Sequence, residues 1–91
     1  MAATGAASPT VDELGELVLD TFRQVLGNPS LSPTDNMFEV GGDSLLGLKI
    51  VKRLEEATGV TLPIASLFVH PTPDELARAL VERLGASRRV A

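Results

Sequence analysis

The sequence predicts an all-α protein, a small four-helix bundle with three longer helices and one short helix. Two segments begin with a capping-box pattern, Thr10 with Glu13 and Thr72 with Glu75, in which hydroxyl and carboxylate satisfy backbone amides at a helix start. Apolar residues then recur at helical spacing, and no segment alternates convincingly with the period of a strand. With 91 residues, the chain has room for one domain with a compact core.

The first helix is predicted to start after Thr10 and to end at Gly27, which suits the left-handed C-terminal position. Its apolar positions are Val11, Leu14, Leu17, Val18, Phe22, Val25 and Leu26. Residues 1–9 and 86–91 are expected to be flexible ends. The folded domain is therefore predicted to span residues 10–85.

Residues 27–43 form a long connection with the turn signals Asn28-Pro29, Ser32-Pro33 and Gly41-Gly42. A connection of this length in a small domain is usually either functional or disordered. Its apolar residues Met37, Phe38 and Val40 predict that it packs onto the domain.

Three further helices are expected after this connection. The second starts at Asp43 or Ser44 and runs to Thr58, before Gly59. A short helix should follow Pro63, and the last should start at Pro73 and end at Gly85. Their predicted inward residues are Ile64, Leu67 and Phe68 in the short helix, and Leu76, Ala77, Leu80, Val81 and Leu84 in the last.

Composition excludes several classes of function. The chain has no cysteine, so it has no disulfide, thiolate zinc site or cysteine nucleophile, and one histidine cannot build the usual metal sites. A net charge of −4 without Trp or Tyr argues against nucleic acid, and Phe22, Phe38 and Phe68 are expected in the core. No apolar stretch is long enough to cross a membrane, and the sequence starts without a signal-peptide pattern. We therefore expect a cytoplasmic protein.

The residues 41–45, GGDSL, place a serine at a predicted helix start behind a flexible loop. Such a position suits a phosphate, because the helix N-terminus offers free amides and a partial positive charge. The alternative is plain helix capping, in which Asp43 or Ser44 only accepts a backbone hydrogen bond. These five residues alone leave both interpretations open.

Helical geometry divides the second helix into two faces. At about 100° per residue from Ser44, Leu45 and Leu48 fall near the serine with Lys52 between them. They form a candidate partner-binding surface, although isolated exposed leucines are common. The residues predicted to lie on the buried face are Leu46, Ile50, Leu54 and Ala57.

A family resemblance joins these features. Residues 35–46 (DNMFEVGGDSLL), followed by residues 62–63 (LP), 67–68 (LF) and 70–72 (HPT), resemble the phosphopantetheine-binding carrier proteins. The chain is most similar to the peptidyl carrier (thiolation) branch of nonribosomal peptide synthetases, over residues 10–84. The resemblance implies a protein without catalytic residues, in which Ser44, flanked by Gly42 and Asp43, carries 4′-phosphopantetheine from coenzyme A. The cofactor would supply the thiol that the sequence lacks.

The resemblance also implies partners and a role in natural-product (antibiotic) biosynthesis. A phosphopantetheinyl transferase, an adenylation or acyl-loading enzyme, and condensation, tailoring or thioesterase enzymes would act on the carrier. We expect a free-standing monomer. A polyketide-type acyl carrier protein is the alternative, but its second helix is typically acidic, whereas this one carries Lys49, Lys52 and Arg53.

Two other classes compete with the carrier hypothesis. Residues 42–45 also spell the signature of GDSL-type serine esterases, with Ser44 as nucleophile after a strand ending at Val40 and Gly41. That chemistry needs a base, and His70 is the only histidine, with Leu67 where the esterases have an aspartate. The other class is an interaction module that uses Leu45 and Leu48 without a cofactor.

Overall fold

The computed structural model describes residues 10–89, and the side chains of residues 10–85. Residues 1–9, which we expected to be flexible, and residues 90–91 lie outside the described residues. The helices are α1 (Val11–Leu26), α2 (Ser44–Thr58), α3 (Ala65–Val69) and α4 (Pro73–Arg89), and no strand occurs in this range. The prediction of an all-α bundle with three longer helices and one short helix is confirmed.

Local capping sets both ends of α1, as predicted. The Thr10 hydroxyl accepts a hydrogen bond from the Glu13 amide at 3.1 Å, and the Glu13 carboxylate accepts one from the Thr10 amide at 2.8 Å. Gly27 ends the helix with a φ of 65°, in the left-handed region that favours glycine. The first helix is therefore fixed by contacts between near neighbours in sequence.

Helix α4 starts where the sequence predicts but does not end there. The Thr72 hydroxyl accepts a hydrogen bond from the Glu75 amide at 3.1 Å, with Pro73 as the first helical residue. The Glu75 carboxylate accepts from the Thr72 hydroxyl and not from its amide, so only half of the predicted capping box forms. The prediction that Gly85 ends the helix is wrong, because α4 continues to Arg89 and Gly85 does not adopt a positive φ. A glycine inside a helix costs only about 1 kcal/mol, and no proline follows to stop the helix. Residues 86–89 are therefore helical.

Helix α1 lies between α2 and α4 and contacts both, while α3 packs against α4. Each helix contributes apolar side chains to one core, and the connections between helices add more. The core residues are Leu14, Val18, Phe22, Leu31, Met37, Ile50, Val51, Leu54, Val60, Leu62, Leu67, Leu76, Ala77 and Leu80. Within residues 10–89, no helix is long and apolar enough to cross a membrane.

The long connection between α1 and α2 packs onto the domain, as predicted. Met37 is fully buried, and its amide donates to the carbonyl of Pro71 at 3.0 Å. The Asp74 amide donates to the carbonyl of Pro33 at 3.0 Å, which joins the connection to the start of α4. Phe38 and Val40 are half-buried against the core. The chain that leads into Ser44 is therefore held in place.

The buried face of α2 is rotated from the predicted one. Ile50 and Leu54 are buried as expected, but Leu46 is only half-buried and Val51 is buried in its place. Gly47 is also buried, because α3 lies over it. The prediction took its phase from the leucines, whereas the position of α3 decides it.

Three other predictions of burial are wrong. Ala57, predicted on the buried face of α2, is exposed. In the short helix only Leu67 points inward, while Ile64 and Phe68 are 36% and 56% exposed. Val11, predicted on the apolar face of α1, is 60% exposed at the first turn of that helix. Five residues are too few to fix the phase of a helix from sequence.

Candidate functional site

Ser44 is the first residue of α2 and its side chain is exposed. The cap of this helix is its neighbour Asp43, whose Oδ1 accepts a hydrogen bond from the Leu46 amide at 2.9 Å. Within residues 10–85, no side chain or backbone group hydrogen-bonds to the Ser44 hydroxyl. Asp43 therefore provides the capping function that the sequence left open between the two residues, and the serine hydroxyl stays available.

Both glycines before Asp43 are required by the backbone. Gly41 has a φ of 103°, which side chains rarely adopt. Gly42 donates its amide to the Met37 carbonyl at 2.7 Å, and a Cβ at this position would lie 2.6 Å from that oxygen. The tight turn formed by the glycine pair places Asp43 and Ser44 at the helix start.

Leu45 and Leu48 are exposed beside Ser44, as predicted, with exposed fractions of 65% and 45%. Between them Gly47 faces α3: a Cβ at Gly47 would lie 2.9 Å from Cδ1 of Leu67 and 3.6 Å from Cδ1 of Ile64. The close approach places α3 against the side of α2 that carries Gly47, about 100° around the helix from Leu48.

Helix α3 adds an aromatic side chain to this region. The ring of Phe68 stacks on that of Phe38, with centroids 5.2 Å apart and planes 9° apart. Of the six large exposed apolar residues in the described part of the chain, only Val11 lies away from α2 and α3. We call the other five the exposed apolar face: Leu45, Leu48, Ile64, Phe68 and Val69.

Sequence reasoning assigned only Leu45 and Leu48 to this face. It placed Phe68 in the core, and this prediction is wrong, because Phe68 is exposed. The signal that separates Phe68 from a core residue is its neighbour Leu67, which takes the single inward position of the short helix.

The site does not have the features of a serine esterase. Val40 and Gly41 lie in a turn and not in a strand. Helices are the only regular secondary structure in residues 10–89, whereas those enzymes are α/β proteins. His70 ends α3, where its amide donates to the Ser66 carbonyl at 2.8 Å. In residues 10–89, no group of three or more His, Asp or Glu could hold a metal ion.

Comparison with known protein families decides between the remaining hypotheses. Residues 16–80 match the family described as the phosphopantetheine attachment site. The chain belongs to this family. Its members are tethering domains without catalytic activity that carry covalent 4′-phosphopantetheine, so the cofactor prediction and the prediction of a non-enzymatic carrier are confirmed.

Several curated relatives of this chain are peptide synthetases, and the chain matches a small part of each. The chain is 42% identical over 76 residues to phosphinothricin tripeptide synthetase PhsC of Streptomyces viridochromogenes, covering 84% of this chain and 7% of the relative. It is 39% identical over 87 residues to a dimodular nonribosomal peptide synthase of Bacillus subtilis, covering 96% of this chain and 4% of the relative. The chain thus spans less than a tenth of these relatives.

A solved structure shares both the fold and part of the sequence. The complex of the phosphopantetheine transferase Sfp with coenzyme A and a peptidyl carrier protein matches with a TM-score of 0.73 and 27% identity. The match covers 77% of this chain and 91% of the matched chain. Together these findings support the peptidyl carrier branch of the family.

The residues at the start of α2 fit the family's cofactor. Ser44 offers a free, exposed hydroxyl, and the turn at Gly41 and Gly42 puts no side chain over it. A phosphate on this oxygen would lie at the N-terminus of a 15-residue helix.

Proposed function

We propose that Ser44 is the attachment point of the phosphopantetheine arm and that the chain delivers thioester-bound aminoacyl or peptidyl groups to partner enzymes. The strongest support is that Asp43 and Ser44 have different roles at the helix start. Asp43 provides the cap, so the Ser44 hydroxyl is not used to cap α2. A serine at this position that is both exposed and free is suited to covalent modification.

The start of α2 would also favour the charge of the modification. The first intrahelical bond runs from the Gly47 amide to the Asp43 carbonyl, so the amides of Ser44 and Leu45 precede it. Free amides and the helix dipole stabilise an anion at this end. When bound, the cofactor supplies a thiol on a flexible arm, which holds cargo as a thioester and raises its effective concentration at each partner.

We further propose that the exposed apolar face is a docking face, on which Leu45 and Leu48 contact partner enzymes. These enzymes would be a phosphopantetheinyl transferase, an adenylation or acyl-loading enzyme, and condensation, tailoring or thioesterase enzymes. Exposed apolar side chains clustered beside a modification site are typical of an interaction surface. Because coenzyme A is available in the cytoplasm, we place the carrier there, acting as a monomer.

The attachment point is tested by intact-mass analysis. The apo protein is incubated with coenzyme A and a phosphopantetheinyl transferase of broad specificity. We expect addition of one phosphopantetheinyl group to the wild type and none to Ser44→Ala. Addition to Ser44→Ala would move the site to another residue. Absence of addition to the wild type with several transferases would contradict the carrier function itself.

The docking face is tested with Leu48→Asp. The substitution puts a charge in an apolar contact, where its desolvation is costly, and should slow transfer to Ser44. The melting temperature should stay close to that of the wild type because Leu48 is exposed. Arg83→Asp on α4 is the control and should change the rate little. If Leu48→Asp is modified at the wild-type rate, partners do not use this part of α2.

A further inference from the structure

The exposed side of α2 has an apolar edge and a cationic edge. The contact of Gly47 with Ile64 and Leu67 shows that α3 lies on one side of the helix. On the other side, the Arg53 guanidinium donates to Gln24 of α1 at 3.1 Å. The partner-facing surface is thus bounded by apolar α3 on one side and by a basic flank on the other.

Lys49 and Lys52 belong to this basic flank. At roughly 1.5 Å per residue, they lie about 7 and 12 Å along the helix axis from Ser44. At about 100° per residue, Lys52 projects between the directions of Leu45 and Leu48, and Lys49 projects about 40° beyond Leu45, away from α3. Two cations are therefore adjacent to Leu45 and Leu48 on the surface of α2.

These cations are not neutralised by the protein itself. Both side chains are exposed, and neither has a carboxylate within 4.0 Å, since Arg78 with Asp74 is the ion pair found in the described residues. Asp43 is engaged as the cap of α2. Glu56 lies four residues after Lys52, about 6 Å further along the axis, but forms no ion pair with it, and it is about 18 Å from Ser44. A chain with a net charge of −4 thus carries free positive charge beside its modification site.

We infer that the enzyme that modifies Ser44 binds this surface with an apolar patch for Leu45 and Leu48 and with carboxylates that face Lys49 and Lys52. The inference rests on the proposed function of Ser44 and names the chemistry of its partner. Complementary charges at the rim of an interface mainly raise the association rate and suppress wrong partners. The lysines would therefore determine the rate at which the transferase associates with the carrier and which transferase is accepted.

The test compares three variants with the wild type in steady-state transfer from coenzyme A, with a transferase that accepts peptidyl carriers. Lys49→Glu with Lys52→Glu reverses the two charges, and Lys49→Gln with Lys52→Gln removes them. Arg78→Glu with Arg83→Glu is the control, because it gives the same net charge as the first variant but alters α4. Thermal melts confirm that each variant is folded.

At low salt, we expect kcat/KM for the carrier to fall about tenfold in the reversal variant and about threefold in the glutamine variant, with little change in the control. The differences should vanish between about 0.01 and 1 M salt, as the Debye length falls from about 30 to about 3 Å. The KM for coenzyme A should not change, because the lysines face the enzyme and not the phosphates of coenzyme A.

Several outcomes would overturn the inference. Equal rates for the wild type and the reversal variant at every salt concentration would show that no carboxylates face the lysines. A rise in the KM for coenzyme A alone would assign the lysines to that substrate. An equal loss of kcat/KM in the α4 control would show that the rate depends on the net charge of the chain and not on the position of the lysines. In each case modification of wild-type Ser44 would leave the proposed function intact, whereas no modification at all would contradict both.

Discussion

Replacing Gly42 with alanine should destabilise the protein, although Gly42 is not part of the hydrophobic core. The residue donates its amide to the Met37 carbonyl at 2.7 Å. An added Cβ would lie 2.6 Å from that same oxygen and 2.6 Å from Cε of Met37. The methyl group can rotate away, but the carbonyl is held by its hydrogen bond to Gly42 itself.

The magnitude follows from two opposing effects. Forcing an extra carbon into a packed site costs about 1–3 kcal/mol. Alanine recovers about 0.4–1 kcal/mol, because it restricts the unfolded chain more than glycine does and Gly42 does not require a positive φ. We therefore expect a net loss of about 1–2 kcal/mol, which lowers the melting temperature of a domain this small by roughly 5–15 °C.

Thermal unfolding followed by circular dichroism measures this effect, and Gly15→Ala is the matched control. A Cβ at Gly15 would have no atom within 4 Å, and the residue lies inside α1. This substitution should stabilise the protein by about 0.5–1 kcal/mol. If Gly42→Ala melts at or above the wild-type temperature, the turn before Ser44 is more adaptable than the contact with Met37 implies.

Three further substitutions test other parts of the site by the same melts. Asp43→Ala should cost about 1 kcal/mol through the lost cap, and an unchanged melting temperature would mean that another group caps α2. Leu54→Ala should cost about 2–5 kcal/mol, more than Leu46→Ala, because only Leu54 is fully buried; equal losses would contradict the rotated face of α2. Phe68→Ala should cost about 1 kcal/mol through the lost stacking on Phe38, and it should slow transfer to Ser44 if α3 takes part in docking.

The ends of most helices could be predicted from sequence because helix ends are local. The box at Thr10, the left-handed glycines at positions 27 and 59, and the cap at Asp43 each join residues within about four positions of one another. Gly85 is the exception. A glycine ends a helix only if the chain after it turns away, and here the chain continues in the helix to Arg89.

Some features of the candidate site could likewise be predicted from sequence, and others could not. The helix start at Gly42, Asp43 and Ser44 was predicted from adjacent residues. These residues left capping and attachment both open, and the family resemblance pointed to Ser44 as the attachment point. The exposure of Leu45 and Leu48 also followed from helical periodicity. The stacking of Phe68 on Phe38 did not, because it joins two segments that are 30 residues apart.

Tertiary structure alone decided which faces are buried and why the glycines stand where they do. Helix α3 covers Gly47 and turns the buried face of α2 toward Val51, and the close approach of Met37 requires glycine at position 42. The sequence determined the helices, their caps and the serine, since these depend on hydrogen bonds and periodicity within one segment. Burial and close approach depend on where the other segments lie, and periodicity within one segment carries no information about that.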